Sequence, residues 1–243
     1  MTVAGASLFV HILPFIEQQS LFDQLAPDEV ALWANNNTWA DSEPAVQIAV
    51  GTRPDAYACP SNGELQLVSE QLHGVSFSPA TGSYAGSMGS CGPSFTCNDI
   101  NDAQQDPALR INAKYSNNGM FFYSTQLRLS QVTDGTSNTI FVGETIDGHF
   151  SKQSNIWTNG NRGQSSMRSS ATPLNFPMGL DSGTGLLIGM GGAEASNGRF
   201  SSTHPGGANF TYADGHVGFI TENIDHVTYQ QASTRDRGEV ISE

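Results

Sequence analysis

The residues that invite a chemical reading begin with His204 and Asp214, separated by nine residues across an apolar run. A histidine and a carboxylate are the raw material of proton transfer and of metal sites. An extended chain of that length would hold them up to ~30 Å apart. The simpler reading is therefore structural, with Asp214 in a turn and His204 hydrogen-bonding a loop backbone beside Pro205-Gly206-Gly207. Glu144 closes the run Thr139-Ile140-Phe141-Val142-Gly143. An ionised carboxylate at the end of a buried strand needs a partner, and Arg128, Arg168 and Arg199 are the candidates. Asp134, heading Asp134-Gly135-Thr136-Ser137-Asn138, has the chemistry of a turn residue whose carboxylate accepts backbone N–H groups.

Two polar clusters admit a ligand. Asp99, Asn101 and Asp102 crowd oxygen donors into the Asn98–Asp102 stretch, the donor class that calcium prefers. The EF-hand order is absent, so a solvated loop is the plainer reading and calcium the alternative. Trp157 stands among Asn155, Asn159, Asn161 and Arg162, a combination that could form a sugar platform or bury the indole among polar loops. No Gly-x-Ser-x-Gly elbow, paired-histidine metal motif or kinase loop occurs. Gly189–Gly192 lacks the order and the strand–helix context of a dinucleotide fingerprint.

The chain has 3 cysteines. Cys91 and Cys97 bracket a five-residue loop that a disulfide could close, with two free thiols as the alternative. No second Cys or His pair lies nearby at zinc spacing. Cys59, in Ala58-Cys59-Pro60-Ser61, is left over and calls for a partner elsewhere.

The elements that must carry these groups follow from periodicity. Leu8, Phe9, Ile12, Leu13, Ile16, Leu21, Phe22 and Leu25 recur at helical steps, with Pro14 either kinking that helix or starting a new one. Its polar face holds Glu17, Gln18, Gln19 and Asp23, which suits core packing better than a membrane surface. Residues 43–50 can form a second short helix. Residues 83–90 read as a small-residue strand or loop passing close to another segment. The Asp214-Gly215 pair between Ala208–Ala213 and His216–Ile220 predicts a hairpin with a type I′ turn.

Of 243 residues, 14% are charged, the net charge is −13, and lysine occurs only at Lys114 and Lys152. Such an acidic chain has no electrostatic grip on nucleic acid or anionic lipid. No run of about 18 apolar residues spans a bilayer as a helix. With 26 glycines and abundant Ser, Thr and Asn, the composition suits a loop-rich, hydrogen-bonding β protein working outside the cytoplasm, and the helical and strand runs read along the chain make one α+β domain the economical reading.

Four stretches, read in order, make the chain resemble a known family. They are Leu13-Pro14-Phe15-Ile16-Glu17-Gln18-Gln19; Tyr57-Ala58-Cys59-Pro60-Ser61; Asp134 to Thr139 with Val142-Gly143-Glu144; and Phe200 to Phe210 continuing to Asp214-Gly215. The last has a His, nine residues, then Asp-Gly, and Gly238-Glu239-Val240-Ile241 closes the pattern. Together they resemble the planctomycete-type prepilin-like family, domain of unknown function 1559.

That resemblance implies a pilin-like head similar to type II secretion pseudopilins, with an N-terminal helix packed on an antiparallel β-sheet and long irregular loops. It implies a single head domain over 1–243, preceded in the family by a leader and a hydrophobic helix that this sequence does not include, with Met1 an expression start. The partner of Cys59 would then be a cysteine that family members carry after that helix. The motif residues His204, Gly206, Gly207, Asn209, Asp214, Gly215, Asp134, Asn138 and Glu144 would be structural or touch a ligand. The expected role is a non-enzymatic domain at the cell surface or in the periplasm. It would contact other pilin-like subunits or envelope proteins, bind no nucleic acid, and reach the membrane only through that helix. No cofactor is required, calcium at Asp99, Asn101 and Asp102 being the exception. The alternative role is capture of an extracellular carbohydrate.

Overall fold

The computed structural model describes residues 5–30, 32–33, 44–62, 67–68, 70–72, 75–90, 117–122, 126–146, 154–160, 166–177 and 198–238. Cys91, Cys97, Asp99, Asn101, Asp102, Asn161 and Arg162 lie outside the described residues, and with them the disulfide and calcium expectations.

The N-terminal apolar pattern folds as three short pieces. They are α1 (Leu8–His11), a 3₁₀ turn (Leu13–Ile16) and α2 (Gln19–Leu25). Pro14 sits in the first turn of the 3₁₀ segment, where its missing N–H costs nothing, so a new turn starts there. Glu17, at φ 60°, ends it. Ser7 caps α1 by accepting from the Val10 amide. The helical period survives the breaks: Phe9, Val10, Leu13, Leu21 and Leu25 are all buried. They meet Val46, Ala49 and Val50 of α3 (Pro44–Val50), together with Tyr57, Ile156 and Trp157.

Strands β1 (Glu70–Leu72) and β2 (Val75–Phe77) form a separate antiparallel pair. The main sheet holds β3 (Tyr84–Ser87), β4 (Ile140–Glu144), β5 (Met167–Arg168), β6 (Gly207–Tyr212) and β7 (Val217–Thr221) in the order β5-β3-β4-β6-β7. Helix α4 (His226–Gln231) follows, capped by Asp225. The fold is α+β, as expected, but the sheet is mixed rather than antiparallel, because β5 runs parallel to β3. Two residues of β5 carry no periodic signal from which a pairing could be read.

The sheet separates two apolar clusters, and the pleat decides which residue faces which. Tyr84 and Val142 pack with the helical cluster. Their neighbours Ala85 and Ile140 join Phe200, Ala208, Phe210, Ile220 and Tyr229 on the opposite side. Ile140 and Val142, two apart, would share a face in a regular strand. A register shift between them sends them to different clusters. Leu8 presses against Gly86 of β3, where an added Cβ would lie 2.9 Å from its methyl and 2.7 Å from the Phe121 ring. The small-residue stretch predicted to approach another segment therefore does so, against α1 and Phe121.

The predicted hairpin forms, with Phe210 opposite Gly218 and Asn209 opposite Phe219. Its turn is not type I′. The Gly215 amide donates to Tyr212 O, the Tyr212 amide donates to His216 O, and Gly215 alone in the turn has positive φ, at 94°. This is a three-residue loop closed by glycine in the left-handed region, which asks only one residue to leave ordinary φ space.

Candidate functional site

Three segments converge at the end of β4. The first is the chain from Tyr57 through a one-turn 3₁₀ helix (Pro60–Asn62), which places Cys59. Its backbone is tied to the sheet where the Ser83 amide donates to Tyr57 O. The second is β4, whose last residue is Glu144, paired in register with Tyr84. The third is the loop before β6, which carries His204. The Ser201 amide donates to Glu144 O, and Thr203 Oγ1 donates to Ser61 O at 2.7 Å. Asn62 adds a bond to Ser83 Oγ at 3.2 Å. These ties fix three chain segments around one point.

At that point Cys59 Sγ lies 3.4 Å from His204 Nε2, and the same nitrogen lies 3.1 Å from Glu144 Oε1. The three donor atoms lie within 4.8 Å of one another. Cys59 and Glu144 are 4% and 3% exposed, whereas the His204 side chain keeps 28% of its surface and so forms the solvent-facing side. The other carboxylate oxygen, Glu144 Oε2, accepts the Asn209 amide at 2.7 Å. Burial pushes the Cys59 thiol above its ordinary pKa and the neighbouring Glu144 carboxylate adds to this, while the backbone N–H groups of Ser61 and Asn62 oppose it. Tyr84, beside the cluster, is also raised, first by burial and then by Cys59 and Glu144.

This geometry sorts the available chemistry. A cysteine nucleophile works as a thiolate of depressed pKa. In a nucleophile–histidine–acid relay, thiol and carboxylate engage opposite ring nitrogens. Here the thiol is raised, and both partners meet the same nitrogen. What the arrangement does offer is a thiol, an imidazole and a carboxylate, each with one donor atom within 4.8 Å of the other two.

The motif residues divide accordingly. His204 does not bond a loop backbone through its ring; it contacts Cys59 and Glu144. Among the described residues, the partner that the Glu144 carboxylate meets is the His204 ring, where the sequence reading looked to Arg128, Arg168 or Arg199. Arg168 is buried and donates to Thr145 Oγ1, Met167 O and Asn155 Oδ1. Asn209 serves Glu144 through its amide. Gly207 is required by close approach, since a Cβ there would lie 2.1 Å from Ile220 O. Gly206 has φ 79° and open space around it.

Asp214 sits at the far end of β6, away from His204, with His216 Nδ1 at 2.7 Å. The His216 N–H and ring hold its carboxyl below the usual range. Asp134 does accept backbone N–H groups, from Arg237 at 3.0 Å and Gly238 at 2.7 Å, which ties the end of the described chain to its turn. Asn138 braces the same turn by donating to Asp134 O.

The sugar platform is overturned at its centre. Trp157 is 1% exposed, packs at 5.3 Å from Tyr57, and donates its indole N–H to Thr52 O. Asn155 is buried too, bonded to Gly82 O and Tyr84 O. Cys59 is the residue whose place in the cluster sequence reasoning missed. Its position in Cys-Pro-Ser was visible, but nothing local links it to a histidine 145 residues away.

A family model described as a protein of unknown function (DUF1559, SBP_bac_10) matches residues 2–226. The chain belongs to that family. No curated protein and no solved structure matches it.

Proposed function

We propose that this member of the DUF1559 family is a non-enzymatic, extracellular, pilin-like head domain that works through protein–protein contacts. Its place is the cell surface or the periplasm, and its partners are other pilin-like subunits or envelope proteins. The observation that carries this reading is the uneven covering of one sheet face. The helical cluster covers that face at Tyr84 and Val142. Further along the same face, beyond Glu144 and Asn209, stand Val217 and Phe219 of β7, 65% and 50% exposed. Among the described residues strand β7 ends the sheet order, so its outer edge also offers backbone groups for pairing. Large apolar side chains on an edge strand are a protein-contacting surface more readily than a solute pocket. The raised Cys59 thiol and its shared histidine nitrogen further support a role without nucleophilic catalysis.

A photo-crosslinking residue placed at Val217 in the native organism tests this. Adducts to envelope or pilin-like subunits from Val217, and none from the exposed Arg128 on another surface, are the expected result. Equal labelling from both positions, or none from either, overturns the reading.

A further inference from the structure

We propose that Cys59, His204 and Glu144 bind a zinc ion. Zinc prefers tetrahedral sets of thiolate, imidazole and carboxylate, with bonds of ~2.3 Å to sulfur and ~2.0 Å to nitrogen or oxygen, which places the donor atoms about 3.3–3.6 Å apart. The Cys59 Sγ–His204 Nε2 distance is 3.4 Å and the His204 Nε2–Glu144 Oε1 distance is 3.1 Å, close to the edges of such a tetrahedron. One nitrogen serving both neighbours is awkward for a hydrogen-bonded relay, since it carries at most one proton. It is the required arrangement when all three donors point at one cation.

The surroundings fit a metal as well. Once a bound ion has displaced the Cys59 proton, thiolate and carboxylate would bring charge −2 into a site where Cys59 and Glu144 are nearly inaccessible. Two like charges there are costly unless a dication neutralises them. Asn209 orients the carboxylate, its backbone N–H donating to Oε2 at 2.7 Å and its side-chain amide reaching both oxygens at 3.5 Å, with Oε1 the oxygen nearest His204. Three protein ligands leave a fourth position, which falls on the His204 side where the ring keeps its exposure. Water or a donor from a partner would complete it.

The ion would join the Cys59 turn, the end of β4 and the loop before β6 into one unit. It would also occupy the leftover thiol without a disulfide. Binding displaces the Cys59 proton to solvent, with no redox step. The inference is independent of the proposed surface at β7.

The test uses the reduced, chelator-treated chain. Zinc titrated against a chromophoric chelator is expected to bind at one equivalent and raise the melting temperature. Cobalt(II), as surrogate, is expected to give a thiolate charge-transfer band and tetrahedral d–d bands. Cys59→Ser and His204→Ala should each weaken zinc binding by more than the ~10- to 100-fold typical of an outer-shell change. His216→Ala, altering the exposed His–carboxylate pair, should leave it unchanged. The cobalt spectrum needs no variant, so it stands even if a substitution unfolds the chain. Absence of the thiolate band, zinc binding that persists in Cys59→Ser, or Cys59 recovered in a disulfide overturns the proposal.

Discussion

Strand β6 has a histidine–carboxylate pair at each end, and the two are built on opposite principles. At its entry, His204 and Glu144 meet at 3.1 Å with side-chain exposures of 28% and 4%. Beyond its exit, His216 and Asp214 meet at the shorter distance of 2.7 Å, with exposures of 47% and 36%. Distance alone would rank the second pair higher. Burial reverses the order, because water screens and replaces the exposed contact, whereas a buried carboxylate stripped of its partners has nothing to replace them. Their origins differ too. Asp214 and His216 are two residues apart, brought together by the turn itself. Glu144 and His204 meet only because β4 pairs with β6 and the preceding loop folds back onto β4.

Four substitutions test that contrast, the largest effect first. Glu144→Ala should cost about 3 kcal/mol or more in urea denaturation, since it strands the Asn209 amide and removes the carboxylate that His204 and Cys59 pack against. Gly207→Ala at the same end should cost about 3 kcal/mol, as its Cβ would collide with Ile220 O and force β6 from β7. At the other end, Gly215→Ala should cost about 1 kcal/mol; its φ of 94° is strained for alanine but the space around it is open.

Asp214→Asn should have the smallest effect and a definite pH signature. The folded carboxyl is held low by the His216 amide first and the His216 ring second. Its stabilisation is therefore present above the unfolded carboxyl pKa of about 4 and fades as pH falls through the lower folded value. The melting difference between wild type and variant should be visible at neutral pH and vanish in acid. An Asp214→Asn variant as unstable as Glu144→Ala would mean that burial is not what separates the two pairs.

Much of the scaffold could be read from residue order alone. The Asp214-Gly215 signal located the hairpin because turn chemistry is local, though the turn that formed needs positive φ only at Gly215. Pro14 marked a break in the helical run for the same reason, and the structure decides between a kink and a new start in favour of the new turn. The run at 139–143 gave β4, and 43–50 gave α3, because apolar periodicity already encodes which face is buried. The parallel placement of β5 was not legible, and neither was the shift that sends Ile140 and Val142 to opposite faces. Both depend on a neighbouring strand rather than on the strand's own sequence. Burial was already the favoured reading of Trp157 over a platform, and its packing against Tyr57 bears that out.

The sequence by itself determined the acidic α+β chain, its family, its hairpin and the residues worth watching, since composition, periodicity and turn preference act over a few residues. Tertiary structure decided that Cys59, Glu144 and His204 share one point while His204 and Asp214 do not. Contacts between distant segments are set by which strands pair and which faces must leave water, and no spacing along the chain records that.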